Sequence, residues 1–354
     1  MGRNLVKYLV DNELCSSITV ADKAMPQIAF MNDFHEAAFE HESVTYIQSD
    51  LTRDAHLDKV FGKDGENRYD FVFNLAAETR LGQTNELYDE RCRKLSKVCG
   101  ERSKKGGVKR FVEMSTALVY KPQKAKAHTE DGAIGPWTAQ AKAKLAAEQE
   151  VLSIDGLNVV ILRPVFIYGV GDVAGLMPRI VCAAAYKQLN ETMKFLWDKT
   201  MRVNTVHVDD VCRALFHVTK DRIPSGTIFN LCDKNDSDQA KVNALLGTVF
   251  GIKTGFHGMI ISNLARLNLS GVIEAANEKH MAPWDTICRE HKIYTTPLSP
   301  YMGAELLANN SLFVDGSRIE TSGFEYSQPT VDPERIREAV QAAIDLHVFP
   351  PILG

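Results

Sequence analysis

The sequence has no long hydrophobic run, no strong charge excess and no paired cysteine motif, and each absence removes a class of function. No apolar stretch approaches the roughly 20 residues of a membrane-crossing helix, so no membrane span is expected. The 41 lysines and arginines nearly balance 45 aspartates and glutamates, giving a formal charge of −4. That balance points to neither nucleic acid nor an anionic membrane surface. The largest local basic excess, from Lys94 and Lys97 through Arg102, Lys104 and Lys105 to Lys109 and Arg110, reads as a solvated helix face and loop. The seven cysteines form no C-x-x-C pair, so neither a redox motif nor a metal site is expected. Several lie in apolar runs, as buried free thiols do in reducing compartments. With no signal peptide visible, the expected location is cytoplasmic.

What the sequence does hold is an alternation. Short apolar runs at Ile18 to Val20, Val44 to Gln48, Asp70 to Ala77, Val108 to Ser115, Leu157 to Arg163 and Thr227 to Leu231 read as buried strands. Helical segments at Asn4 to Asp11, Ala55 to Phe61, Leu87 to Ser103 and Thr138 to Leu152 lie between most of them. Buried strands alternating with helices predict an α/β fold with a doubly wound parallel sheet. Ligands of such sheets bind at the carboxyl ends of the strands. Asp22 ends the first visible strand and is placed to accept hydrogen bonds from both ribose hydroxyls of NAD. A 2′-phosphate would meet a carboxylate there, so NAD is favoured over NADP.

Four motifs then occur in order. Met114 to Tyr120 fits S-[ST]-x-x-V-Y. Gln140 to Glu148 fits Y-x-x-x-K-x-x-A-E at Lys144, Ala147 and Glu148, with Gln140 in place of the tyrosine. Leu162 to Gly169 fits R-P-x-x-x-Y-G, and Val206 to Val211 fits V-H-V-D-D-V. Together they resemble the extended short-chain dehydrogenase/reductases, a group that includes NAD-dependent epimerases and dehydratases and 3β-hydroxysteroid dehydrogenases. The resemblance implies a Rossmann-type domain over residues 1–170. It implies a mostly substrate-binding region over 171–354, with 201–232 returning to the Rossmann core. It implies NAD contacts from Gly2, Asp22, Asp50, Leu51, Leu75, Ala76, Ala77, Lys144 and Pro164, and a catalytic set of Thr116, Lys144 and whatever residue 140 supplies. A small-molecule substrate follows from the same resemblance, which leaves a homodimer open.

The departures from that pattern bear on chemistry. In the family, a phenol one helical turn before the lysine has its pKa lowered and passes a proton to the substrate oxygen. The amide of Gln140 can hold a carbonyl but has no ionisation near neutral pH. The family's asparagine would fall near Arg91 or Cys92, and neither fits that role. Tyr120 and Tyr168 are alternative acids, although aromatic residues at strand ends more often pack. His207 reads as part of a helix-opening motif.

Met1 to Val10 resembles the end of G-x-x-G-x-x-G and its helix, with Gly2 as the third glycine. The resemblance implies a preceding central strand and two further glycines. Without them the flanking strands are expected about 9–10 Å apart, twice the pairing distance, with weak NADH binding as a consequence. A shortened isoform or incomplete gene model is the simplest expectation. The segment Gly251 to Asn277 carries apolar residues at helical spacing and is expected to pack as a subdomain core rather than line an apolar substrate pocket. The expected function is an atypical NAD-linked oxidoreductase or epimerase/dehydratase acting on an alcohol–carbonyl pair. A catalytically silent dinucleotide sensor or scaffold is the rival, as is a truncated form that no longer binds.

Overall fold

The computed structural model describes residues 1–63 and 68–353. Helix α1 (Gly2–Asp11) leads into β1 (Ile18–Asp22), followed by α2 (Asp33–Phe39), β2 (Val44–Gln48), α3 (Asp54–Phe61) and β3 (Phe71–Asn74). A helical stretch comprises α4 (Asn85–Tyr88), a widened π-helical segment at Asp89–Lys94, and α5 (Leu95–Lys105). Then come β4 (Arg110–Met114), α6 (Ala139–Leu152), β5 (Val159–Pro164), β6 (Phe166–Tyr168), α7 (Met177–Leu189), β7 (Met193–Phe195) and β8 (Thr205–His207). The remainder holds α8 (Val208–His217), β9 (Thr227–Leu231), α9 (Gln239–Phe250), β10 (Thr254–Phe256), α10 (Met259–Leu267), α11 (Leu269–Glu290), α12 (Ala304–Leu307) and α13 (Pro333–Asp345). Each strand and helix read from the alternation is present, with ends shifted by a few residues.

The main sheet is parallel and ordered β3-β4-β5-β9, while β1 and β2 form a separate parallel pair. Among the described residues no strand bonds to the free edges of β1 and β3. The two pieces share a core instead. Leu5, Val6 and Leu9 of α1 pack in one cluster with Ile18, Val112, Met114, Val160 and Leu162. Side chains of a strand alternate between faces, so Phe111, Val159 and Ile161 point the other way, against Leu57, Leu95, Cys99 and Val151 of α3, α5 and α6. The same alternation puts Asn74, Glu113 and Arg163 on that second face at the strands' carboxyl ends. A separate cluster joins α7, α9, α11 and α13 through residues such as Val181, Leu246, Trp284 and Val340.

The apolar residues of 251–277 do not form the expected core. Ala265 is buried, but Met259, Ile260, Leu264 and Leu267 are 79, 77, 52 and 86% exposed. Periodicity identified the apolar face of α10; the small face, Ser262 and Ala265, is the one that packs. Small side chains let the helix backbone approach the protein closely and leave the aliphatic face outward.

Three buried histidines set an acid limit on stability. Burial, reinforced by nearby cations, lowers His35, His217 and His280 to about 4 from an ordinary 6.5. The unfolded chain therefore takes up protons that the folded one refuses as pH falls from 6.5 toward 4, and stability drops across that window. The melting temperature should fall from pH 7 to pH 4.5, and less so in His280→Asn than in the parent. An unchanged drop would count against the assignment.

Candidate active site

Helix α6 carries the centre of the candidate site and has an unusual means of attachment. Thr138 caps it, its hydroxyl accepting from the Ala141 amide at 2.9 Å. Residues four apart share a helical face, so Gln140, Lys144 and Glu148 form one column, and each engages a successive strand of the sheet. The Gln140 amide donates to the Glu78 carbonyl beyond β3 at 2.8 Å. The Lys144 ammonium donates to the Met114 carbonyl on β4 at 2.6 Å and lies 3.6 Å from the Glu113 carboxylate. Glu148 accepts two bonds from Arg163 of β5, at 2.9 and 2.5 Å, and one from the Ser115 hydroxyl.

These partners are buried and hydrogen-bonded themselves. Asn74 and Ser96 donate to Glu113 at 2.6 and 2.9 Å. Burial pushes the Glu113 carboxyl above its usual range, and the Lys144 charge opposes the shift. Arg163 also donates to the Tyr120 hydroxyl at 2.8 Å, which in turn donates to Asn230 at 2.8 Å. Tyr120 is thus a packed network member, its pKa raised by burial. Tyr168 is likewise raised by burial and meets His207 edge-on. His207 accepts from the Asp209 amide as the cap of α8. At Gly169, φ is +121°, and an added Cβ would lie 2.8 Å from His207, so the turn requires glycine.

Sequence reasoning missed Glu78. Its carboxylate binds Arg80 at 2.9 Å and Arg91 at 3.0 Å, while its carbonyl holds Gln140. Gln140 and Arg91, one of the two residues near the expected asparagine, therefore meet on one residue. The Arg80 hydrogen bond, with help from Arg91, brings the Glu78 carboxyl down to about 2. It stays ionised at neutral pH and supplies no proton. Arg91 lies within the widened helical segment, a distortion frequent at functional sites. The only advance signal was an acidic residue directly after a small-residue strand end.

The remaining candidates divide between the two sheet pieces. Thr116 is half-buried just after β4, its hydroxyl accepting from the Leu118 amide at 3.2 Å. Leu75, Ala76 and Ala77 are half-buried and follow β3, and Pro164 ends β5 in the interior. On the other piece, the exposed Asp22 carboxylate accepts the Ala24 amide at 2.9 Å through one oxygen. Asp50 holds its own turn by accepting from Thr52 at 3.2 and 2.7 Å, with Leu51 half-buried beside it. Gly2 opens α1, which has no side-chain cap, and an added Cβ there would meet nothing within 4 Å. The next residue, Arg3, went unnoticed in the sequence. Its guanidinium donates to the Ala29, Phe30 and Gly171 carbonyls at 2.5, 2.8 and 2.9 Å and so ties the loop after β1 to the loop after β6.

A doubly wound parallel sheet with these strand ends and this helix column defines a Rossmann-type protein of the short-chain dehydrogenase/reductase kind. The chain belongs to the NAD dependent epimerase/dehydratase family, whose model matches residues 1–232. Its fold is similar to the UDP-glucuronic acid 4-epimerase of Bacillus cereus, crystallised with UDP-glucuronic acid and NAD, at TM-score 0.70 and 16% identity over 98% of this chain and 96% of that one. It is also similar to WbmG of Bordetella bronchiseptica, crystallised with NAD and UDP, at TM-score 0.67 and 16% identity over 98 and 93%. A stretch of 142 residues is 25% identical to the uncharacterized protein y4nG of Sinorhizobium fredii, covering 39% of this chain and 35% of that protein's length.

Removing one partner of a buried ion pair strands a charge, at a cost of about 3–5 kcal/mol, whereas replacing both with apolar groups is often neutral. Arg163→Met should therefore destabilise the protein by about that amount in urea unfolding. Adding Glu148→Met should recover a large part of the loss. A double variant as unstable as the sum of both single ones would show that the pair does not act as a unit.

Proposed function

We propose that the chain is an NAD-dependent enzyme of the epimerase/dehydratase kind acting on an alcohol–carbonyl pair of a small molecule, with Gln140 as the group that holds the substrate oxygen. The observation that carries this reading is the column on α6, which fixes Gln140 and Lys144 beside the strand ends at Glu78 and Met114. The residues fit the cofactor at three points. The first turn of α1 has no side-chain cap among the described residues, which leaves its amides suited to an anion. The second Asp22 oxygen, without a partner among the described residues, suits a ribose hydroxyl. The small residues Ala76 and Ala77 allow close approach of backbone. Bound there, NAD would supply hydride acceptance and return. Residues 171–354, apart from the return to the sheet at 201–232, are proposed as the substrate-binding region.

The chain's own groups explain an atypical chemistry. Gln140 donates a hydrogen bond without changing charge. Thr116 offers a second hydroxyl contact. Lys144 is held inward by Glu113 and Met114, and so contributes positive potential rather than a proton relay. Glu78, ionised at neutral pH, keeps Arg91 and the loop after β3 in place. No group of this cluster delivers a proton from a phenol, and the proton exchanged with the substrate oxygen comes from solvent.

Gln140→Tyr, beside intact Thr116 and Lys144, should raise turnover of a reactive alcohol–carbonyl substrate, followed by NADH absorbance across a panel of sugar nucleotides, steroids and hydroxyketones. General acid–base assistance is worth about 10²–10⁴-fold, and the gain should sit at the lower end because neither Arg91 nor Cys92 supplies the family's asparagine. Tyr120→Phe and Tyr168→Phe should leave the rate unchanged. A rate lost on either phenylalanine variant, or unaffected by Lys144→Met and Thr116→Ala, would overturn the assignment.

A further inference from the structure

Helix α10 shows its apolar side to solvent, and the surrounding charge indicates what covers it. Ile260, Leu264 and Leu267 recur at the spacing of one helical face and are joined by Met259 and the partly exposed Ile261. The opposite face, Ser262 and Ala265, is buried, with Ala265 in a cluster with Trp197, Met201 and Val203. The helix is therefore fastened to the protein by its small residues. The exposed aliphatic area is on the order of 500 Å², at the upper end of what monomers show. That is short of the roughly 800 Å² per partner of a stable protein interface.

Within the segment that carries the helix, the charge has one sign. From Gln239 to Ile273 the chain contains no aspartate or glutamate. Arg266 on α10, Lys253 before β10 and Lys194 on β7, the strand paired with β10, are all exposed. Among the described residues none of these three has a carboxylate partner. Lys194 and Lys279 both add to the lowering of His257 that burial begins, which places them near the start of α10. Lys279 is neutralised by Glu191 at 2.5 Å. The nearest acids in sequence, Glu274 and Glu278, lie on the following helix.

We propose that α10 is a membrane-surface helix: its Ile260, Leu264 and Leu267 face beds into an anionic phospholipid leaflet, with Lys194, Lys253 and Arg266 at the headgroups. A short helix with an apolar face and basic flanks lies in the interface plane, its binding strengthened by anionic lipid. No helix among the described residues is long and apolar enough to cross a membrane, so the attachment is peripheral.

Flotation of the whole chain with vesicles of phosphatidylcholine, with and without 30 mol% (about one lipid in three) phosphatidylserine, tests this directly. The chain should float with the anionic vesicles, less with the neutral ones, and less as salt rises. Ile260→Asp with Leu267→Asp should lower binding at least about tenfold while circular dichroism and melting temperature stay near the parent's. Arg266→Glu should weaken binding to the anionic vesicles alone. Leu264→Trp gives an independent readout, its emission shifting to the blue when vesicles are added. A chain that stays unbound to both compositions, or a double-aspartate variant that floats like the parent, overturns the proposal. So does a parent that sediments as a dimer and becomes monomeric on the double substitution, because the face would then belong to a second copy.

Discussion

The structure depends on how α6 is held to the sheet. An alanine-rich helix offers little apolar area for packing, and α6 uses charge and hydrogen bonds in its place. Lys144 and Glu148, one turn apart and of opposite sign, pair with Glu113 on β4 and Arg163 on β5. Each buried charge is costly alone, and each here has its opposite and a further hydrogen-bond partner. The pairs fix the height and rotation of the helix, since the side chains of one column must meet strand positions of one face. Gln140 is thereby brought to the Glu78 carbonyl.

From that column the arrangement spreads outward. Arg163 passes the constraint to Tyr120 and Asn230, which joins β5 to β9 and to the loop that carries His128, because Asn230 also donates to the His128 carbonyl at 3.3 Å. Asp210 of α8 accepts the Ser327 and Gln328 amides at 2.7 and 2.8 Å and thereby pins the segment that leads to α13. On the other side, the loop after β3 is held through Glu78. The free edges of β1 and β3 mark where this order stops. There the two sheet pieces are joined by side-chain packing of α1 rather than by backbone bonds.

Much of this was legible in the residues. Strands β1 to β5 and β9 follow from short apolar runs ending in polar or small residues, and α6 from its motif. The inward turn of Lys144 did not follow, although the strand Arg110-Phe111-Val112-Glu113-Met114 held the clue: a glutamate on a core-facing position needs a buried partner. Glu78 gave no periodic signal, because loops after strands obey hydrogen-bond geometry that spacing does not encode. For α10, periodicity located the apolar face but could not tell what lies against it. The small residues opposite decided that question.

The central proposal is that the strand ends and the first turn of α1 hold NAD beside the α6 column. Isothermal titration with NADH and NADPH tests it most directly. The account predicts saturable one-site binding of NADH, weaker binding of NADPH because its 2′-phosphate meets the Asp22 carboxylate, and loss of that preference in Asp22→Ala. Absence of NADH binding, or equal affinity for both dinucleotides in the unmodified protein, would contradict it.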